Sequence, residues 1–109
     1  MKEILVINPV ESMRVHRELV KINIGRIIDH FGSHVTYINK FNHTISTPNC
    51  RIRFTYITEF EHMPERFKGI HYDGIFGKYI LAQDKGMIYE KTRVGKDWFE
   101  YVKEVEEMR

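Results

Sequence analysis

Histidines, one cysteine and several carboxylates are the side chains of this chain that could carry out chemistry. No two of the six histidines form an HxH or HExxH arrangement, which would bring two metal ligands together. His16 lies on the apolar face of a predicted helix, where burial in the core is expected. Cys50 is the only cysteine, with His43 and His62 as candidate partners, and nothing in its surroundings indicates nucleophilic catalysis. The sequence therefore predicts neither a metal nor a cofactor.

A second set of polar residues follows the middle of the chain. The residues that would serve a metal-dependent nuclease or a phosphate-transfer enzyme are Asp73, Glu59, Glu61 and His71. Carboxylates and imidazoles hold divalent cations and move protons, so the residue types suit such chemistry. Their spacing fits no established metal-ligand pattern. An enzyme is therefore the second alternative rather than the main expectation.

Several segments have the spacing expected of β-strands. Lys2–Asn8 is apolar on both sides, as in a strand that is covered on both faces. Cys50–Thr58 alternates between apolar and polar residues, which predicts a half-buried strand. The other predicted strands are His34–Asn39 and Tyr72–Phe76, and a further short one falls at Met87–Glu90.

Two segments are predicted to be helices. In the first, Pro9–Phe31, apolar residues recur every three or four positions, as in a helix that packs on a core. Asn8 is the expected N-cap, Glu11 its partner in a capping box, and Gly32 the stop. The second helix is Lys96–Met108. A strand followed so closely by a helix is the first half of a βαβ unit.

The stretch from Cys50 to Gly77 resembles a known family. A strand is followed by a charged loop, the pair Lys68-Gly69, Asp73, and a short apolar strand. Together with the abrupt turn after Ile4–Asn8, this order resembles the core of P-loop ATPases of the phage terminase type. The resemblance covers roughly residues 2–31 and 50–78. It implies a small Rossmann-like, P-loop-like fold and a phage or mobile-element protein.

Residues needed for nucleotide chemistry are missing at both motif positions. A phosphate-binding loop has the pattern GxxxxGK followed by serine or threonine, whose glycines free backbone N–H groups and whose lysine neutralises phosphate charge. This chain has Asn8-Pro9-Val10-Glu11-Ser12-Met13 there, with neither glycine nor lysine. Gly77 stands where an acidic residue would hold Mg²⁺. The resemblance therefore implies degenerate Walker motifs and a protein that neither binds nor hydrolyses ATP.

The expected function is that of a non-catalytic binding protein that acts by protein–protein interaction, for instance as an inhibitor of a host or defence factor. Aromatic residues and a methionine placed among charges are typical of interface hot spots with a polar rim. The predicted partner-binding residues are Phe60, Met63, Arg66 and Phe67. A homodimer is also compatible with a chain of this size.

A nucleic-acid-binding module is the first alternative. Residues 1–53 carry 8 basic and 4 acidic side chains, a balance of +4, although the net charge of the whole chain is only +2. Basic residues on one surface would contact phosphates. The predicted nucleic-acid-binding residues are Arg14, Arg17, Lys21, Arg51 and Arg53.

The length of 109 residues fits a single domain, residues 1–109. The expected fold is α/β, in two or three layers, with a mostly parallel sheet of four or five strands. The first two strands are expected side by side or one strand apart; an antiparallel hairpin between His34–Asn39 and Cys50–Thr58 is the alternative. No apolar run is long enough to cross a membrane, and a lone cysteine suits the cytoplasm.

Overall fold

A five-stranded sheet organises the residues that the computed structural model describes, which are 1–39, 43–67, 69–77 and 97–108. The strands are β1 (Lys2–Asn8), β2 (Tyr37–Asn39), β3 (Thr44–Ser46), β4 (Cys50–Tyr56) and β5 (Gly74–Phe76). Their order across the sheet is β2-β3-β4-β1-β5. The fold is therefore mixed α/β, as predicted. The strand expected at Met87–Glu90 lies outside the described residues.

The expectation of a mostly parallel sheet is wrong. β1 runs parallel to β4 and β5, whereas β3 pairs antiparallel with both β2 and β4. Few residues separate β2 from β3 and β3 from β4, and such short connections can only join antiparallel strands. β3 and β4 lie between β2 and β1, so β2 is neither beside β1 nor one strand away from it.

Two helices cover one face of the sheet: α1 (Met13–Phe31) and α3 (Trp98–Glu107). Ile52 and Phe54 of β4 point to this face and are buried, so the alternation predicted for this strand is confirmed. The buried side chains between this face of the sheet and the two helices are Ile4, Val6, Val20, Ile27, Ile45, Cys50, Ile52, Phe54, Phe76, Trp98 and Val102. Residues of β1 and β4 thus anchor both helices.

The second face is covered only in part. A short helix, α2 (Ile57–His62), and a 3₁₀ turn (Pro64–Arg66) follow β4 directly. The buried cluster on this side consists of Leu5, Ile7, Phe60, Phe67, Tyr72 and Ile75, so the cover lies over β1 and β5. β1 is therefore buried on both faces, which confirms the interpretation of its apolar run, and the fold has three layers there.

Helix α1 begins later than predicted. Its N-cap is Ser12, whose hydroxyl oxygen accepts from the Val15 N–H at 3.4 Å, and not Asn8 in a capping box with Glu11. Asn8 remains in β1 because its side-chain amide is used inside the core by His16. The predicted stop is confirmed: Gly32 has a φ of +48° and its N–H donates to the Ile28 carbonyl.

A carboxylate ties α3 to the turn between β3 and β4. Glu106 accepts hydrogen bonds from the Thr47 hydroxyl and from the backbone and side-chain nitrogens of Asn49, the latter two at 2.8 and 2.9 Å. Asp97 begins the same helix by accepting from the Phe99 N–H at 2.8 Å. Both ends of α3 are thus fixed by side-chain hydrogen bonds. Every helix among the described residues is too short or too polar to cross a lipid bilayer.

Candidate functional site

The chain leaves β1 and β4 toward opposite faces of the sheet. α1 packs on the face that contains Ile52, whereas α2 packs on the face that contains Leu5. In open α/β sheets, the crevice outside the carboxyl ends of two such strands is the usual place for a ligand. The last residues of the two strands, Asn8 and Tyr56, are register partners and mark this position. We call it the carboxyl edge.

A chain of three polar side chains, two of them buried and the third half-buried, lies at the carboxyl edge. The Asn8 amide nitrogen lies 3.1 Å from His16 Nδ1, and His16 Nε2 lies 3.0 Å from His43 Nδ1. His16 is fully buried, as predicted, and its ring stacks on Tyr56 with 4.6 Å between centroids. His43 has a left-handed φ of +53°, and its carbonyl accepts from the Phe54 N–H at 3.0 Å. His43, the residue before β3, is thus held beside His16 by its backbone hydrogen bond to β4.

The surroundings of both histidines lower their pKa values and so favour the neutral form at pH 7. Burial, followed by the neighbouring His43, lowers the pKa of His16 from 6.5 to about 4, and the negative Glu59 only partly opposes this. The pKa of His43 is also lowered, chiefly by burial. A neutral imidazole donates from one ring nitrogen and accepts at the other, so the pair forms a hydrogen-bonded chain. A general base at neutral pH needs a pKa nearer 7, which His16 does not have.

The carboxylates and the histidine expected of an enzyme do not lie together at one site. Glu59 lies near the carboxyl edge, but its carboxylate accepts from the Thr55 hydroxyl at 2.6 Å and from Arg66 at 3.0 Å. Asp73 lies before β5, at the opposite edge, and accepts from the Glu3 N–H at 2.8 Å. Glu61 and His71 are exposed. The described parts of the chain contain no group of three side chains placed to hold a metal ion.

Backbone groups of the turn between β1 and α1 form hydrogen bonds within the turn and to the start of α2. The Val10 N–H donates to the Asn8 carbonyl at 2.8 Å, and the Val10 carbonyl accepts from the Ile57 N–H at 3.1 Å. The Glu11 carbonyl accepts from the Thr58 hydroxyl at 2.7 Å. These contacts join the turn to the start of α2. A phosphate-binding loop instead keeps successive backbone N–H groups directed at its ligand.

Gly77 follows β5 and packs closely against β1. A Cβ atom at this position would lie 3.1 Å from both the Cβ and the carbonyl oxygen of Ile7. An acidic side chain therefore does not fit here without a shift of the β1 backbone. The missing magnesium ligand noted in the sequence is thus accompanied by a lack of space for one.

The predicted partner-binding loop is divided between core and surface. Phe60 and Phe67 are 1% and 0% exposed, and their rings pack together with 5.5 Å between centroids. They cover Leu5 and Ile75, so their prediction as partner contacts is wrong for the folded chain. Met63 is 41% exposed, and Arg66 is exposed with an ion pair to Glu59 at 3.0 Å. The physical reason is that β1 and β5 need an apolar cover on this face.

The five predicted nucleic-acid-binding residues belong to two surfaces. Arg14, Arg17 and Lys21 are exposed on α1, on one side of the sheet. Arg51 and Arg53 point to the other side, because they alternate with Ile52 and Phe54 along β4. A single phosphate-binding surface formed by all five is therefore excluded. The two arginines of β4 instead line a groove on the uncovered part of the second face.

Cys50 is fully buried beside the Glu106 contacts. Burial, followed by the negative charge of Glu106, raises the pKa of this thiol to about 12. Since the thiolate is the reactive form, we expect iodoacetamide to leave Cys50 unmodified in the native protein at neutral pH and to alkylate it after unfolding in guanidinium chloride. Mass spectrometry of the two reactions measures this. Rapid stoichiometric alkylation of the native chain would contradict the assignment.

Sequence patterns missed two features of this region. The contact between His16 and His43 joins residues 27 positions apart, and no local spacing encodes it. The groove beside Arg51 and Arg53 depends on which part of the sheet the α2 segment leaves uncovered. The polar side chains of β4 were the available signal for an uncovered face.

Comparison of the chain with protein-family models, curated proteins and solved structures found no match. The likeness to P-loop ATPases therefore depends on the motif positions in the sequence, and the function has to be argued from the geometry above.

Proposed function

We propose that this chain is a non-catalytic binding protein that acts by contact with another protein. The observation that carries the proposal is the closed turn between β1 and α1, where a nucleotide-dependent enzyme would hold phosphate. The Val10 N–H and carbonyl are both used within the fold, and α1 is capped by its own Ser12. With the histidines neutral and the carboxylates dispersed, binding is the function that remains best supported.

The scaffold is proposed to be a reduced, P-loop-like one of phage or mobile-element origin. The trio β4-β1-β5 is parallel, and a helix follows β1 after a short turn, which supports the scaffold. The proposed origin depends on the sequence resemblance alone. The hairpins that add β3 and β2 to the sheet are additions that the P-loop resemblance does not cover. On this scaffold the phosphate site would have been lost while the strand and helix framework was kept.

Calorimetry with ATP and Mg²⁺ tests the proposal directly. We expect no saturable heat, because the turn offers no cradle of N–H groups and Glu11 stands near the start of α1, where an anion would otherwise be favoured. A parallel assay for phosphate release is expected to equal the buffer blank. Saturable binding in the micromolar range, or phosphate release above the blank, would overturn the non-catalytic assignment.

A further inference from the structure

The second face of the sheet is a groove where the α2 segment does not cover it. The groove has a volume of about 880 Å³. Its floor contains Glu3 of β1, Ser46 of β3 and Arg51 and Arg53 of β4, and its wall contains His71 and Tyr72. Glu3 and Ser46 are the register partners of Arg51 on its two sides, so the three side chains share this face. Polar and charged groups, two of them guanidinium groups, therefore replace most of the apolar side chains that line the rest of the face.

Two guanidinium groups are spaced along the groove. Arg51 and Arg53 are two residues apart on one strand, which separates their backbone positions by about 7 Å on the same face. Arg51 contacts Glu3 at 3.1 Å, and both side chains reach solvent. The Arg53 guanidinium lies 4.7 Å from the Phe67 ring centroid and donates to the Arg66 carbonyl at 3.2 Å. Stacking on Phe67 thus fixes one of the two cations in place.

Two buried polar atoms lie at the Arg53 end of the groove. They are Arg53 Nε and the Tyr72 hydroxyl, which have almost no accessible surface and belong to side chains that contact each other. Burial raises the pKa of Tyr72, and the positive charge of the neighbouring Arg53 opposes the rise. The Tyr72 oxygen can accept from the Arg53 guanidinium, so the two buried atoms need no further partner. The ligand that suits the two guanidinium groups of the groove is an oxyanion.

We propose that this groove binds an acidic, extended segment of a partner protein, with carboxylates at alternate residues directed at Arg51 and Arg53. This inference rests on the proposed function and names the chemistry of the partner. An extended chain presents every second side chain on one side with the same spacing as the two arginines. Carboxylates are acceptors only, and arginine binds them through two parallel hydrogen bonds. The spacing therefore agrees, and a partner carboxylate would share Arg51 with Glu3.

Single-stranded nucleic acid fits the groove less well. Such ligands depend on exposed aromatic rings on which successive bases stack. Tyr72 is the one tyrosine, phenylalanine or tryptophan among the described residues that line the groove, and it is only 3% exposed. The basic residues of α1 lie on the other side of the sheet and cannot extend the site. An acidic peptide is therefore the favoured occupant.

Fluorescence anisotropy at low ionic strength tests the inference with defined probes. The probe is a labelled peptide of about ten residues in which glutamate alternates with threonine, compared with a peptide in which glutamine replaces every glutamate. We expect the glutamate peptide to bind at least roughly tenfold more tightly than the glutamine peptide. The variant R51Q/R53Q is expected to lose this preference. The matched control R14Q/K21Q removes the same charge from α1 and is expected to keep it.

Two further measurements keep the test independent of folding. Arg51→Gln alone changes an exposed residue and is expected to weaken binding of the glutamate peptide several-fold. In the unmodified protein, the NMR signal of the Arg53 Nε–H group is expected to shift as the glutamate peptide is added. Equal affinity for both peptides, no binding of either, or an equal loss in R14Q/K21Q would overturn the inference.

A labelled oligothymidylate of similar length tests the alternative that the groove binds single-stranded nucleic acid. Tighter binding of this probe than of the glutamate peptide, lost in R51Q/R53Q, would assign the groove to nucleic acid and overturn the peptide inference. Failure of the proposed function would be seen separately, as binding or hydrolysis of ATP. Failure of the peptide inference and failure of the proposed function are thus detected with different ligands.

Discussion

Replacing Phe67 by alanine is expected to lower the free energy of unfolding by about 3–5 kcal/mol. The side chain is fully buried, packs on Phe60, and supports the Arg53 guanidinium. Its removal leaves a cavity over β1 and β5 that the short α2 segment cannot fill. Since small domains are stable by about 5–15 kcal/mol, the loss would be a large fraction of the total. Urea unfolding followed by circular dichroism measures it.

Met63→Ala is the matched control from the same loop. Met63 is 41% exposed, so its truncation is expected to change the free energy of unfolding by less than about 0.5 kcal/mol. If Phe67→Ala proved equally mild, the ring would not be part of the core. The original prediction of Phe67 as a partner contact would then regain its basis.

Acidification from pH 7 to about pH 5 is expected to cost about 2 kcal/mol of stability through His16 alone. Its pKa is lowered to about 4 in the folded protein, compared with 6.5 when exposed. Below pH 6.5 the unfolded chain therefore binds a proton that the folded chain excludes, and stability falls until the pH reaches about 4. The lowered pKa of His43 acts in the same direction. Urea unfolding at a series of pH values reports the slope.

The variant His16→Gln isolates this effect. Glutamine keeps a polar group near Asn8 but does not titrate, so the loss of stability between pH 7 and about pH 5 is expected to shrink by most of that amount. His71→Gln, at an exposed position, is expected to leave the slope unchanged. An unaltered slope in His16→Gln would mean that His16 is not the buried neutral group described here.

Local sequence patterns were enough to predict the elements that have a strong hydrophobic period. The run in β1 predicted burial on both faces, and the alternation in β4 predicted which side chains reach the core. β3 was missed because a strand of three residues, Thr44–Ser46, is too short and too polar to show a period. Without β3, the sequence offered a direct antiparallel hairpin between His34–Asn39 and Cys50–Thr58 as the alternative. In the structure β3 lies between these strands and pairs antiparallel with each, which also places β2 farther from β1.

Tertiary contacts accompany the differences between prediction and structure at the site. The sequence predicted Asn8 as the N-cap of α1, whereas Ser12 has this position and the Asn8 side chain contacts the buried His16. Phe60, Met63 and Phe67 have helical spacing, but the chain changes to a 3₁₀ turn at Pro64 and separates Met63 from the other two. Which of the three side chains is exposed depends on the position of that turn.

The central position of β1 has a consequence for how the chain folds. β1 pairs Lys2 with Cys50 and Ile4 with Gly74, whereas β2, β3 and β4 pair with close sequence neighbours. Closing the long loops between such distant pairs costs conformational entropy, so we expect the hairpins of β2, β3 and β4 to form before β1, and with it β5, adds to the sheet. Until then one edge of β4 stays unpaired, and an unpaired strand edge can recruit another chain. Docking of β1 therefore covers the β4 edge that would otherwise be open to another chain.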